Sequence, residues 1–131
     1  MINNSSSPKV KLPFIIDDYS KEIAQLKKYF NENQAFLIKG INISDVAVGT
    51  GIPSKKLSFI INQHYKQRFN DFVNQYRINY ITNKINEGYL DHYTLKTLSS
   101  EAGFSSTNTF IAAFKKIELC SPSEYLIKNK S

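Results

Sequence analysis

Side chains that could bind nucleic acid are concentrated in two stretches of the sequence. The first stretch, residues 54–68, contains four basic residues and no acidic residue, a charge of +4 (4 − 0): Lys55, Lys56, Lys66 and Arg68. Lysine can contact guanine edges or phosphates, and an asparagine such as Asn62 can pair with adenine. The alternative is an ordinary solvated basic face, which charge alone favours. The pattern leaves both interpretations open.

Helical spacing predicts which side chains of the two stretches point outward. In residues 54–62, Leu57, Ile60 and Ile61 form the inward face. The outward set is then Ser54, Lys55, Lys56, Ser58, Phe59 and Asn62. In the second stretch, residues 106–115, the outward set is Ser106, Thr107, Asn108, Ile111 or Ala112, and Lys115. We expect any base or phosphate contacts to come from these two sets.

Other kinds of functional chemistry have little support in the sequence. Cys120 is the single cysteine, so the chain has neither an internal disulfide nor a cysteine-based zinc site. His64 and His92 are far apart, and no cluster of His, Cys, Asp or Glu has the spacing of metal ligands. Cys120 also lacks an adjacent base, and residues 49–51 (GTG) do not match a phosphate-binding loop. The sequence therefore predicts no metal, no cofactor and no enzyme.

A pair of short helices joined by a glycine turn positions the second stretch. Thr94 is suited to cap the first helix, Gly103 to stop it and Ser106 to cap the next one. Ser121 then caps a last helix, with Pro122 at its first position. This arrangement is typical of a helix-turn-helix, and equally of an αα-hairpin that only packs.

The same arrangement occurs earlier in the chain. Ser44 is predicted to cap a short helix with Asp45 in its first turn, Gly51 ends that helix, and a second helix starts at Ser54. Gly51 and Gly103 lie 52 residues apart (103 − 51). The sequence therefore contains two copies of one supersecondary unit.

The longest predicted helix, from Asn70 to about Glu87, joins the two copies and stops at Gly88. Its apolar residues recur at steps of three and four, so we expect both copies to pack against it. A length of ~25 Å suits a spacer between two helices that contact DNA about one turn, or ~34 Å, apart. Arg77 lies within its apolar stretch and is expected to have a structural role more than a phosphate contact.

The length and composition of the chain limit the class of protein, its partners and its location. The chain has 131 residues, of which 41% are hydrophobic, and its net charge is +6, which favours an anionic partner. The start lacks the apolar core of a signal peptide, and no stretch approaches the ~20 apolar residues of a membrane span. We therefore expect a cytoplasmic location. Residues 1–16 are predicted to be a flexible arm or linker, and a first helix is predicted near 18–31.

The second unit resembles the second helix-turn-helix of AraC/XylS-type transcription regulators. The resemblance lies in residues 102–106 (AGFSS), 109–110 (TF), 114–116 (FKK) and 121–125 (SPSEY). The first unit resembles the first helix-turn-helix of that family in residues 57–58 (LS), 61–62 (IN) and 69–78 (FNDFVNQYRI). Together the matches cover about residues 36–126.

The resemblance implies an all-α fold of about seven helices. It divides residues 17–131 into a first helix-turn-helix subdomain (17–68), a connecting helix (69–87) and a second subdomain (88–131). It implies sequence-specific binding of double-stranded DNA, with two recognition helices (about 54–64 and 106–116) in successive major-groove segments. The implied role is transcription regulation, usually activation through RNA polymerase. A sensor or effector domain usually precedes such a module, so this chain is either an output domain or a stand-alone regulator.

The resemblance also places the base contacts, on Lys55, Ser58 and Phe59 in the first unit and on Thr107, Asn108, Ile111 and Ala112 in the second. The whole predicted DNA-binding set is Ser54, Lys55, Lys56, Ser58, Phe59, Asn62, Lys66, Ser106, Thr107, Asn108, Ile111, Ala112 and Lys115.

Three positions depart from the family pattern. Phe59 and Ala112 stand where the family often has an arginine or a polar side chain, and neither can hydrogen-bond to a base. We therefore expect the first unit to supply most of the sequence specificity. Leu119 stands where a glycine is usual, which suggests a different local backbone. The competing interpretation is a basic helical protein-interaction module with only non-specific DNA affinity.

Overall fold

The computed structural model describes residues 18–129, which form seven α-helices and two short 3-10 turns. The helices are α1 (Ser20–Asn31), α2 (Ile43–Thr50), α3 (Ser54–His64), α4 (Phe69–Asn86), α5 (Leu95–Glu101), α6 (Thr107–Glu118) and α7 (Pro122–Lys128), and the 3-10 turns are Ala35–Leu37 and Tyr89–Asp91. The described residues contain no β-strand. The all-α prediction is thus confirmed, whereas the predicted arm, residues 1–16, lies outside the described residues.

The helix starts in the second unit follow the sequence signals. Three hydroxyl side chains accept hydrogen bonds from backbone N–H groups three residues further on, as predicted: Thr94, Ser106 and Ser121. Ser121 also forms a capping box, because the Glu124 carboxylate accepts a bond from the Ser121 backbone N–H at 2.8 Å. Each bond satisfies an N–H that has no partner within its own helix.

Two predicted caps in the first half are wrong. Asn42, not Ser44, caps α2: its side chain accepts a bond from the Asp45 N–H at 2.9 Å, and the Asp45 carboxylate accepts one from the Asn42 N–H at 3.0 Å. This reciprocal pair places the helix start before Ser44. Similarly, α4 begins at Phe69, so Asn70 lies inside the helix and Arg68 precedes it without a side-chain cap.

Each unit has its own hydrophobic core, and α4 contributes to both. In the first core, Phe72 and Val73 of α4 pack with buried residues of α1, α2 and α3. In the second core, Ile78 and Ile81 of α4 pack with buried residues of α5 and α6. Tyr80 of α4 packs against both cores. The predicted packing of both units against this helix is confirmed, and its 18 residues span about 27 Å.

The backbone at Leu119 differs from expectation. Leu119 follows α6 with φ of 62°, in the left-handed region that favours glycine. The expectation that a leucine here would change the local backbone is therefore wrong. Because the Leu119 side chain is 86% exposed, solvent accommodates it without rearrangement of the turn. Lys66, which follows α3, has a similar φ of 56°.

Candidate nucleic-acid interface

The exposed face of α3 is a stripe of polar side chains. Lys55, Ser58 and Asn62 are exposed at steps of three and four, and Lys66 continues the stripe just past the end of the helix. On the opposite face, Leu57, Ile60 and Ile61 are buried in agreement with the predicted inward set. Burial of that face fixes the helix against its unit and directs the polar stripe into solvent.

Three of the residues predicted to point outward from α3 are half-buried: Ser54, Lys56 and Phe59. The Lys56 Nζ atom lies 3.0 Å from the Glu22 Oε2 atom of α1 and 5.7 Å from the centre of the Tyr19 ring. The Phe59 ring packs edge-on against the same Tyr19 ring, with centroids 6.1 Å apart. The structure thus corrects the outward placement of Lys56 and Phe59, because both side chains contact the first helix or the residue before it.

The Lys56 ion pair also affects its acidic partner. The hydrogen bond from Lys56 holds the pKa of the Glu22 carboxyl below its ordinary value of 4.5. A carboxyl with a lowered pKa stabilises the folded chain at pH values above its unfolded pKa, and this contribution is lost as the pH falls through the folded pKa. The Glu22 carboxylate is therefore ionised at neutral pH and engages Lys56.

The exposed face of α6 is equivalent to that of α3 but less charged. Asn108, Ala112 and Lys115 are exposed at steps of four and three, and Thr107 is exposed beside them, whereas Ile111 is half-buried. Ser106 is exposed, but its side-chain oxygen caps the helix and accepts a hydrogen bond from the Thr109 N–H at 3.1 Å. Among these residues, Thr107, Asn108 and Lys115 offer free hydrogen-bonding groups of the kinds that contact bases and phosphates.

Arg77 links the turn between α5 and α6 to the first unit. Its side chain is 9% exposed. The Nε atom donates a 2.7 Å hydrogen bond to the Phe36 carbonyl, and the Nη2 atom donates a 2.9 Å bond to the Ile38 carbonyl. Its guanidinium also lies 5.4 Å from the centre of the Phe104 ring, which belongs to the second unit. The structural role predicted for Arg77 is confirmed, and burial lowers its pKa from the ordinary value.

Two surface contacts also join the units. Lys116 of α6 forms a 2.9 Å ion pair with Asp71 of α4, and Lys39 donates a 2.9 Å bond to the Ser100 hydroxyl. Neither Lys116 nor Asp71 belongs to the predicted DNA-binding set. No sequence signal connects them, because they lie 45 residues apart and come together only when α6 packs across α4.

The exposed faces of α3 and α6 are defined by the polar groups that they present. The described part of the chain holds no group of three or more His, Cys, Asp or Glu side chains that could bind a metal ion. What the two faces present instead is lysine ammonium groups, amides and hydroxyls, which suit phosphates and base edges. Between residues 18 and 129, no helix has the length and apolar composition needed to cross a membrane.

Comparisons with known proteins agree with this geometry. A family model described as a helix-turn-helix domain, of AraC type, matches residues 46–127. No curated protein matches the sequence. A solved structure from Listeria innocua, described as a protein with unknown function, superimposes with a TM-score of 0.65 and 21% identity, over 79% of this chain and 92% of that chain. At this level of identity the superposition shows a shared fold and nothing further.

Proposed function

The chain belongs to the AraC-type helix-turn-helix family, whose domains bind DNA in transcription regulation, and we propose that it recognises a particular double-stranded sequence through α3 and α6 together. In this proposal each of the two helices enters one of two successive major-groove segments. The polar stripe of α3 and the exposed residues Thr107, Asn108 and Lys115 of α6 make the contacts.

The observation that carries the proposal is the equivalence of the two exposed faces. Lys55 and Asn108, for instance, lie 53 residues apart (108 − 55) at corresponding positions of α3 and α6. Both faces belong to one body, because α4 contributes to both cores and Arg77 joins them. A pair of equivalent helices joined in this way supports recognition of two half-sites, whereas a general protein-docking surface needs no such duplication.

Selection of DNA from a random duplex library tests the proposal. We expect one enriched motif of ~15–20 bp that contains two half-sites a helical turn apart. The selected duplex should bind at least ~10³-fold more tightly than a random duplex at physiological salt. Recovery of no motif, with equal binding to all duplexes and an affinity that collapses as salt rises, would favour the basic interaction module instead.

A matched pair of variants sharpens the selection experiment. The triple variant Lys55→Ala/Asn62→Ala/Asn108→Ala should no longer enrich any DNA motif, because it lacks base-pairing groups on both faces. Lys27→Ala/Lys28→Ala removes two exposed cations from α1 and should leave the motif unchanged. Circular dichroism checks that both variants fold.

Family membership alone suggests the wider role. We propose that the protein activates transcription by contact with RNA polymerase, that an N-terminal sensor or effector domain controls it where the module is part of a longer protein, and that it acts in the cytoplasm. A reporter gene placed behind the selected motif tests activation: expression should rise with the protein present and stay at its basal level when the motif is scrambled.

A further inference from the structure

A cavity of about 360 Å³ lies where the turn between α5 and α6 meets the first unit. Its volume is at the lower end of the range for small-molecule sites. The first unit contributes Gly40 and Ile41, the second unit contributes Ser105 and Thr109, and residues of α4 line the space between them. We call this space the junction cavity. A ligand that fills it would contact both units.

Arg77 lines the junction cavity and has no acidic partner in the described part of the chain. The residue is 9% exposed. Its Nε and Nη2 atoms donate to the Phe36 and Ile38 carbonyls, whose dipoles solvate the guanidinium without neutralising it. Within residues 18–129, the Nη1 atom donates no hydrogen bond. Since a buried charge without a counter-ion is costly, an anion in the cavity would relieve this cost.

The turn at Gly103 is shaped around this guanidinium. A Cβ atom at Gly103 would lie 2.8 Å from the Arg77 Nε atom and 3.1 Å from its Nη2 atom. The φ of 104° also favours glycine at this position. Burial lowers the pKa of Arg77, and no carboxylate of the described residues opposes that shift. The fold therefore makes room for a charged group that the described chain leaves unneutralised.

The other residues of the junction cavity indicate the size and charge of the anion. Asn70, Asn74 and Ser105 offer amide and hydroxyl groups, whereas Val73 and Phe104 are buried and apolar. The described lining residues include one cation and no acid, a net charge of +1 (1 − 0), which balances a monoanion. A carboxylate suits the planar guanidinium better than a spherical ion does. The amides can bond to a hydroxyl group beside the carboxylate.

We propose that the junction cavity binds a small hydroxycarboxylate, with its carboxylate on Arg77 and its hydroxyl group bonded to Asn70 or Asn74. The ligand gives the buried guanidinium a counter-ion. It also contacts both units at once, because the cavity is lined by residues of each. The inference goes beyond the proposed function, since DNA recognition by α3 and α6 does not require a small molecule.

Nuclear magnetic resonance of the arginine side chains tests the site directly. The chain has two arginines, Arg68 and Arg77, so protein with ¹⁵N-labelled arginine gives two Nε–H signals. Arg68 is exposed and lies outside the junction cavity, which makes it an internal control. Lactate is the probe, and sodium chloride at equal ionic strength controls for screening. We expect lactate to shift the Arg77 signal to saturation with a dissociation constant on the order of 1 mM, whereas the Arg68 signal should respond equally to both salts.

A variant that supplies the counter-ion from the chain itself provides a second test and leaves Arg77 in place. Asn74→Asp puts a carboxylate among the lining residues, one turn before Arg77 on α4. Asn79→Asp adds the same charge at an exposed position of α4 outside the cavity and is the matched control. Lactate should raise the melting temperature of the original chain and of Asn79→Asp. Asn74→Asp should bind lactate at least ~10-fold more weakly, because its own carboxylate already faces Arg77.

Three outcomes would overturn the junction-cavity proposal: an Arg77 signal that does not move, a shift that chloride reproduces in full, or an Asn74→Asp variant that responds to lactate as strongly as Asn79→Asp. Inorganic phosphate at equal ionic strength is a further competitor. If it displaces lactate at a lower concentration than lactate itself requires, the assignment of the ligand as a carboxylate is wrong. These titrations contain no DNA, so their result does not depend on sequence-specific recognition.

Discussion

Gly103 and Gly51 occupy equivalent turns but differ in the space around them. Both have positive φ, 104° and 78° respectively. A Cβ atom at Gly103 would lie 2.6 Å from the Phe36 carbonyl oxygen and 2.8 Å from the Arg77 Nε atom, whereas nothing lies within 4 Å at Gly51. The turn at Gly103 is therefore also a contact point between the units, which a sequence-based turn assignment does not show.

This difference predicts unequal costs for the same substitution. Gly103→Ala should lower the free energy of unfolding by about 3 kcal/mol or more, because left-handed strain of ~1–2 kcal/mol is added to a steric clash that displaces Arg77. Gly51→Ala has the strain alone and should cost about 1 kcal/mol. Urea unfolding followed by circular dichroism measures both values. Equal losses would contradict the close approach seen at Gly103.

The Glu22–Lys56 ion pair predicts that Glu22 weakens DNA binding, although it lies on α1 and outside the exposed faces of α3 and α6. Glu22→Gln should release Lys56 from α1 and increase affinity for any duplex by about two- to threefold at low salt, since one more cation becomes available. Glu87→Gln removes the same charge from an exposed position at the end of α4 and serves as the control. Anisotropy titrations compare the two variants, and equal gains would show that net charge alone is responsible.

At the scale of elements, the contacts of Arg77 with both units predict that its substitution destabilises both units at once. Arg77→Ala removes the hydrogen bonds to both the Phe36 and the Ile38 carbonyl. The Phe36 carbonyl is buried, and leaving it unsatisfied costs ~1–3 kcal/mol. We expect a total loss of about 3 kcal/mol in the free energy of unfolding. Arg77→Lys should recover less than half of it, because an ammonium group cannot reproduce the planar two-donor geometry.

Hydrogen exchange distinguishes this joining role from a purely local one. In Arg77→Ala, amides of the turn Ala35–Leu37 and of the start of α6 should both exchange faster, although the elements are far apart in sequence. Protection lost only within α4 would mean that Arg77 stabilises its own helix and does not join the units.

At the scale of the whole molecule, the local signals in the sequence predict most of the architecture. Glycine turns, hydroxyl caps and apolar spacing predict the second unit closely, because these features act within a few residues. The cap of α2 was wrongly predicted because both Asn42 and Ser44 are suitable residues, and the reciprocal bond with Asp45 decides between them. The partners of Arg77, Lys56 and Lys116 could not be predicted, since each contact joins residues more than 30 positions apart.

The two units differ in the base-contacting groups that they present, so we expect them to contribute unequally to sequence specificity. The face of α3 presents Lys55, Ser58 and Asn62, whereas the face of α6 includes Ala112 and the half-buried Ile111, which cannot hydrogen-bond to a base edge. Lys55→Ala should therefore reduce the preference for the selected duplex over a random one by roughly tenfold, because one good base contact provides ~1–3 kcal/mol of discrimination. Asn108→Ala, at the equivalent position, should reduce it less. Competition titrations against base-substituted half-sites measure both preferences, with Lys27→Ala as a control that keeps the original preference. A larger loss in Asn108→Ala than in Lys55→Ala would assign the dominant role to the second unit instead.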